Sequence, residues 1–363
     1  MTRSDFALAL FRRLGRGDEN LVVSPSSVAT ALAMVLLGAR GRTADEIAGV
    51  LRADAAEVAA LDDDVLARAA KDGVQLEISN AVWVQEGMRL RDDYAAALSE
   101  RFRTTPRRAD FRHHPEAARQ AVNRLVAEQT HGKILELFGP GALDAATRLA
   151  LTNAIYLYAQ WRDPFSEEAT VPEPFHLLGG GTVEAAMLRQ RRRWRYAEGR
   201  DWQAVELPYE GDGFGMLLLL PRPGAFEAVQ RDLGAAFLDG LPARLRPREV
   251  RLTLPKFRFD STHGLIEALA GLGMPTAFTG AADFSGITGD EPLSVQAAVQ
   301  KAHVEVDERG TTAVATTGVR IVPVAMVAAS PVEVRADRPF LFFVRHLESG
   351  RTLFAGRVTD PTA

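Results

Sequence analysis

The chain has 363 residues, is 47% hydrophobic and carries a formal net charge of -4, an ordinary globular balance that argues against a general nucleic-acid binder. It contains no cysteine, which excludes disulfides, thiolate metal sites and a cysteine nucleophile but leaves the compartment open between extracellular and cytoplasmic. No stretch reaches the roughly 18 apolar residues of a membrane span, and the N-terminal segment shows no apolar signal-peptide core.

The first half is rich in helix punctuation. Ser4 is placed to cap a helix that stops at Gly15, with Phe6, Leu10 and Leu14 at helical spacing. Ser24-Pro25 supplies a cap and a first-turn proline for a small-residue helix ending at Gly38, and Thr43 to Glu46 reads as a capping box. Val74 to Val84 alternates as a strand, Asp93 to Phe102 and Glu116 to Thr130 return to helix, and Leu151 to Leu157 is strand-like. Leu177 to Thr182, the best candidate for a domain break, reads as a turn between two strands, so one domain over residues 1–363 is expected. Beyond it come Trp202 to Pro208, Phe214 to Leu220, Val250 to Phe259, His303 to Asp307, Pro339 to Leu347 and Leu353 to Val358, all strand-like. Such mixing without a regular βαβ rhythm points to an α+β fold.

Enzyme chemistry leaves little trace. There is no HExxH, GxSxG or Walker pattern, and Gly211-Asp212-Gly213-Phe214-Gly215 lies between strands rather than opening a helix. His113 and His114 are the only adjacent histidines and read as a solvated loop, so no metal site and no cofactor is expected. Arg189, Arg191, Arg192, Arg193 and Arg195, with Trp194 and Tyr196, read as a strand with a solvated arginine face rather than a polyanion site.

The most informative segment is Asp307 to Ser330. From Thr311 onward one parity carries Thr311, Ala313, Ala315, Thr317, Val319 and Ile321, and the other carries Arg320. It reads both as a good strand and as exposed bait that enters a sheet later. With its flanks the resemblance becomes a family one. Glu308-Arg309-Gly310-Thr311-Thr312-Ala313 follows a strand-like HVEVD and precedes RPFLFFVRHLESGRTLFAGRV, in the manner of a serpin hinge, reactive loop and C-terminal strands. NLVVSPSSVATALAMVLLGARGRTADEI from Asn20, LTNAIYLYAQWRDPF from Leu151, LPKFRF from Leu254 and LGMPTAFTGAADFSGIT from Leu272 agree in order. Essentially the whole chain resembles the serpins, the serine protease inhibitor family, and in particular an inhibitory, prokaryotic-like type.

The resemblance implies an α+β fold of three β-sheets with eight or nine α-helices, and an exposed reactive-centre loop over about residues 308–330. It implies a suicide-substrate inhibitor and not an enzyme. A target serine protease cleaves the loop to an acyl-enzyme, and insertion of the loop into the family's main sheet, sheet A, traps it before deacylation. The hinge is Glu308, Gly310, Thr311, Thr312, Ala313, Val314 and Ala315, with Gly310 freeing the backbone and the small, uncharged residues able to enter a core. The scissile bond falls at Val324-Ala325, with Ala325 or Met326 as alternative sites. All are apolar, which suits chymotrypsin-like, elastase-like or subtilisin-like proteases and not trypsin. Asn20, Ser24, Ser27 and Asn153 match the shutter beneath sheet A, where Gln300 replaces the usual histidine. Trp161, Lys256 and Glu308 match the breach, where the loop first enters. The segment matching the heparin-binding helix of some members is acidic and short, at Asp62-Asp63-Asp64, so heparin activation is not expected. A monomer without nucleic-acid or membrane partners is expected. The small-residue hinge pattern favours inhibition over the alternative of a non-inhibitory chaperone, carrier or protease substrate.

Overall fold

The computed structural model describes residues 4–311 and 330–363. Its first half runs α1 (Asp5–Leu14), β1 (Leu21–Val23), α2 (Pro25–Leu36), α3 (Gly41–Leu51), α4 (Ala55–Asp72), β2 (Gln75–Gln85), α5 (Asp92–Phe102), β3 (Arg107–Ala109), α6 (Pro115–Gln129) and β4 (Leu149–Gln160). The second runs β5 (Val171–His176), β6 (Thr182–Glu198), β7 (Trp202–Pro208), β8 (Phe214–Pro221), α7 (Phe226–Asp232), α8 (Ala235–Arg244), β9 (Arg246–Pro255), β10 (Phe257–Gly264), α9 (Ile266–Leu272) and β11 (Ala297–Val306). The short β12 (Gly310–Thr311), then β13 (Val332–Arg335), β14 (Phe340–His346) and β15 (Thr352–Val358), complete it.

The strands build an α+β fold with nine α-helices among the described residues. One sheet has the order β10-β11-β12-β4-β2-β3. The other strands are joined in the order β1-β15-β14-β8-β7-β6-β9-β13, with β5 also on β6. The 17-residue β6 makes this second group continuous: its end at Arg195–Glu198 pairs with β7, while Met187–Tyr196 pairs with β9. What the family architecture counts as two sheets is therefore bonded through one long strand.

Side-chain parity places the core. Ile155, Leu157 and Ala159 of β4 and Ala302, Val304 and Val306 of β11 face Val205, Leu207, Leu218, Phe340 and Phe342 of the larger group, forming a sandwich. The opposite faces of β8 and β14, with Leu217, Leu219, Leu341 and Phe343, pack on α1, α2 and their neighbours. With both faces covered, β8 is apolar at every position except Gly215, as a buried strand requires. The outer face of the six-stranded sheet lies under α6 and the segment behind it, where Val122, Val126, Ile134, Leu137 and Phe138 cover Ala150, Ala154 and Ala297.

Several local expectations change in the fold. Thr43 and Glu46 do not form a capping box, because α3 starts earlier at Gly41; Thr43 Oγ1 accepts from Asp283 N at 2.9 Å and Glu46 accepts from Thr276 N at 2.9 Å. The true box is Asp54 and Glu57, each side chain bonding the other's backbone N–H at 2.8 Å. It opens an 18-residue α4, so the acidic segment is not short. Ser4 stands at the N-cap position of α1, but its hydroxyl bonds Asp239 instead of the helix. Val250 to Phe259 divides into two strands after Pro255. The arginine run is a solvated strand face: Arg189 reaches Glu173, Arg191 reaches Glu249 and Arg192 reaches Asp163, while Trp194 and Tyr196 are buried.

Candidate functional site

The site is a seam in the six-stranded sheet. β11 and β4 run parallel and pair directly from Ala297↔Ala150 to His303↔Tyr156. Above that rung they part, and β12 stands between them, antiparallel to both, with Thr311 opposite Val306 on one side and Ala159 on the other. The chain reverses from β11 into β12 through a tight turn. Asp307 Oδ1 accepts from Arg309 N at 2.8 Å and Gly310 N at 3.1 Å, and Asp307 N donates to Gly310 O at 3.0 Å.

Gly310 is needed here for close approach. A Cβ at this position would lie 2.1 Å from the Ala159 carbonyl oxygen and 2.8 Å from Gln160 Cα, both backbone atoms of the neighbouring strand. Thr311 is 2% exposed, and its hydroxyl meets the Tyr209 hydroxyl at 2.6 Å. Burial pushes the Tyr209 pKa up, so the phenol stays neutral and can share a proton with Thr311. Tyr209 in turn stacks on Trp161, with ring centroids 4.7 Å apart and planes 7° from parallel.

The three breach residues come together around this turn. Trp161 Nε1 donates to Asp307 O at 3.0 Å, and Trp161 N to Arg309 O at 2.8 Å. Lys256 Nζ lies 2.9 Å from Glu308 Oε2, while Thr170 Oγ1 donates to Glu308 Oε1 at 2.8 Å. Burial raises the Glu308 pKa, but these two hydrogen bonds outweigh it and leave the carboxyl below its usual range. Neither Tyr209 nor Thr170 stood out in the sequence. A tyrosine after Leu207-Pro208 and a threonine before a strand have ordinary local explanations, and only the fold brings them to the hinge.

Beneath the closed part of the seam, four of the five shutter residues meet. Gln300 Oε1 accepts from Ser24 N at 3.0 Å, and its amide donates to Ser24 O at 2.9 Å and to Asn153 Oδ1. The Asn153 amide donates to Ser27 Oγ and to Asn80 Oδ1. Ser24 also caps α2, accepting from Ser27 N at 3.3 Å. Asn80, opposite Asn153 on β2, belongs to this network and was missed. Asn20 does not belong. It lies at the chain's C-terminal end, accepting from Thr359 N at 2.8 Å and Asp360 N at 3.1 Å, because the loop before β1 runs beside the end of β15. Thr312, Ala313, Val314 and Ala315, expected in the hinge, and Val324, Ala325 and Met326, expected at the reactive site, lie outside the described residues.

The site is thus a buried seam between parallel strands, entered at one end by a returning strand and held below by a polar network. The family model for serpins, the serine protease inhibitors, matches residues 1–361. An uncharacterized serpin-like protein of Thermococcus kodakarensis is 37% identical over 99% of this chain and 84% of its own. Leukocyte elastase inhibitor of Bos taurus is 36% identical over 98% and 97%, and plasminogen activator inhibitor 1 of Neovison vison 34% over 99% and 92%. The chain belongs to the serpin family, whose members are described as protease inhibitors rather than catalysts.

Proposed function

We propose that this protein is an irreversible suicide-substrate inhibitor of chymotrypsin-like, elastase-like or subtilisin-like serine proteases, cleaved at Val324-Ala325 and acting by insertion of the cleaved loop between β11 and β4. The carrying observation is the seat of Gly310 and Thr311, which occupy the top of that gap in an antiparallel register with both neighbours. Continued at the same register, Ala313 meets Leu157 and Val304, Ala315 meets Ile155 and Ala302, and Thr317 meets Asn153 and Gln300. The inward residues are small where the sandwich is apolar, and a hydroxyl arrives where the insertion would separate Asn153 from Gln300. The buried polar pair would then have a new partner instead of none. The similarity to leukocyte elastase inhibitors agrees with an apolar reactive site.

The chemistry belongs to the protease: its serine attacks the Val324 carbonyl, forms the acyl-enzyme and releases the Ala325 amine. Insertion must outrun the water that completes deacylation. Incubation with chymotrypsin, elastase and trypsin, followed by denaturing gels and mass spectrometry of the released peptide, tests the proposal. A denaturation-resistant complex with chymotrypsin or elastase and a peptide beginning at Ala325 is expected. Clean cleavage without complex would overturn it in favour of a non-inhibitory role.

A further inference from the structure

Some arginines around α5, α6 and β3 meet carboxylates: Arg91 with Asp93, Arg103 with Asp63, Arg112 with Glu291, and Arg119 with Glu116 and Glu136. Arg101, Arg107, Arg108 and Arg124 are exposed and meet no carboxylate among the described residues, and of these Arg107 and Arg124 stand on neighbouring elements. They line one open cleft of about 510 Å3 together with Trp83, Thr105, Pro106 and Glu128.

The topology places the two guanidinium-bearing side chains on the same side. β3 pairs parallel with β2, Trp83 opposite Arg107 and Val84 opposite Arg108. Arg107 therefore stands on the face where Trp83 packs with Val122 and Val126 of α6, the helix that carries Arg124. Arg108 also borders the cleft but stands on the opposite face and gives Nη1 to Met88 O at 2.7 Å. Among the described residues β3 is an edge strand, so no further strand of the sheet closes the cleft on that side.

We propose that this cleft binds a compact polyanion bearing two or more phosphate or sulfate groups, bridged between Arg107 of β3 and Arg124 of α6. Guanidinium groups recognise such oxyanions through paired, charge-assisted hydrogen bonds, and here both are mounted on rigid elements. Glu128 stands one helical turn beyond Arg124 and sets the limit of the site, since it repels an anion that extends past it. α6 and the segment behind it also cover the outer face of β4 and β11. A ligand fastening α6 to β3 would oppose strand entry at the seam; that consequence rests on the inhibitory reading, whereas binding does not.

Titration calorimetry on the full chain at low salt tests binding directly, with tripolyphosphate in one arm and a sulfated disaccharide in the other. Saturable one-to-one binding is expected in at least one arm, and the arm that binds identifies the oxyanion. Arg107→Ser and Arg124→Ser should each weaken it about tenfold, the scale of a lost charge-assisted hydrogen bond, and Glu128→Gln should tighten it. Arg193→Ser, at an exposed position on β6, should change nothing. Absence of saturable binding in both arms, or equal losses in all three arginine variants, would overturn the assignment.

Discussion

Replacing Thr311 by arginine tests the insertion mechanism at its first step. Thr311 is 2% exposed, inside a sandwich where its hydroxyl meets the Tyr209 hydroxyl at 2.6 Å. Among the described residues the inward face is built of apolar side chains, so a guanidinium there meets no carboxylate, and burying it unpaired costs several kcal/mol. The Tyr209 hydroxyl also loses its partner, at about 1–3 kcal/mol. Because Thr311 is already seated in the seam, the uninserted variant escapes this cost by withdrawing β12, and the cost returns when the strand must enter; if about 2 kcal/mol of it appears in the barrier to insertion, insertion slows about 30-fold relative to deacylation. The stoichiometry of inhibition is one plus the ratio of the deacylation rate to the insertion rate, and it is that ratio that rises about 30-fold, so an inhibitor that loses about one protease in ten would lose roughly three in four. Titration of active chymotrypsin or elastase against the variant measures this, with gels to count cleaved and complexed protein. Thr311→Val separates the causes, because it removes the hydroxyl without adding charge and should lose stability while still trapping. Full inhibition by Thr311→Arg at unchanged stoichiometry would refute the insertion of this face.

The remaining predictions probe the lock and its release. Cleavage within the loop should raise the melting temperature well above that of the intact protein, because a strand joins the seam and a kinetically trapped state is relieved; calorimetry before and after limited proteolysis measures it, and equal melting would point to a loop that does not insert. Glu308 has a lowered pKa, so its contribution is present above the usual carboxyl range of about 4.3 and is lost as pH falls through the folded value. Acid titration of stability should thus show a loss below about pH 4.3 that Glu308→Gln flattens. Asn80→Ala should cost about 1–3 kcal/mol in denaturant unfolding, since it takes the acceptor from one Asn153 amide hydrogen and from the Ser27 hydroxyl in a buried site; a change near zero would remove Asn80 from the network.

What could be read in the sequence was what local pattern controls. β7 and β15 alternate or run apolar within clear breaks, and the small-residue hinge stands out because charge is absent from a whole parity of the chain. Other features depended on partners far away in sequence. Gln300 and Lys301 interrupt the apolar pattern of β11, so only its last residues looked like a strand; in the fold Gln300 is buried and satisfied by Ser24 and Asn153. Thr43 and Glu46 have the spacing of a cap, yet their oxygens serve the distant segment Thr276–Asp283. Asn20 sits near the shutter serines in sequence but faces the C-terminus, whereas Asn80 and Tyr209 reach the seam through strand register and ring stacking, which no local spacing encodes.

The direction of the two strands flanking the seam carries a further consequence. A strand placed between antiparallel neighbours must run with one and against the other, and its ladder then has two unlike edges. Between β4 and β11, which share one direction, a chain that turns back at Asp307 runs against both. Insertion as proposed would exchange one slanted parallel ladder for two perpendicular antiparallel ones, the slightly stronger kind, and no existing strand would have to reverse. On the proposed mechanism, the drive toward insertion would thus be written partly into chain polarity, before any side chain is chosen.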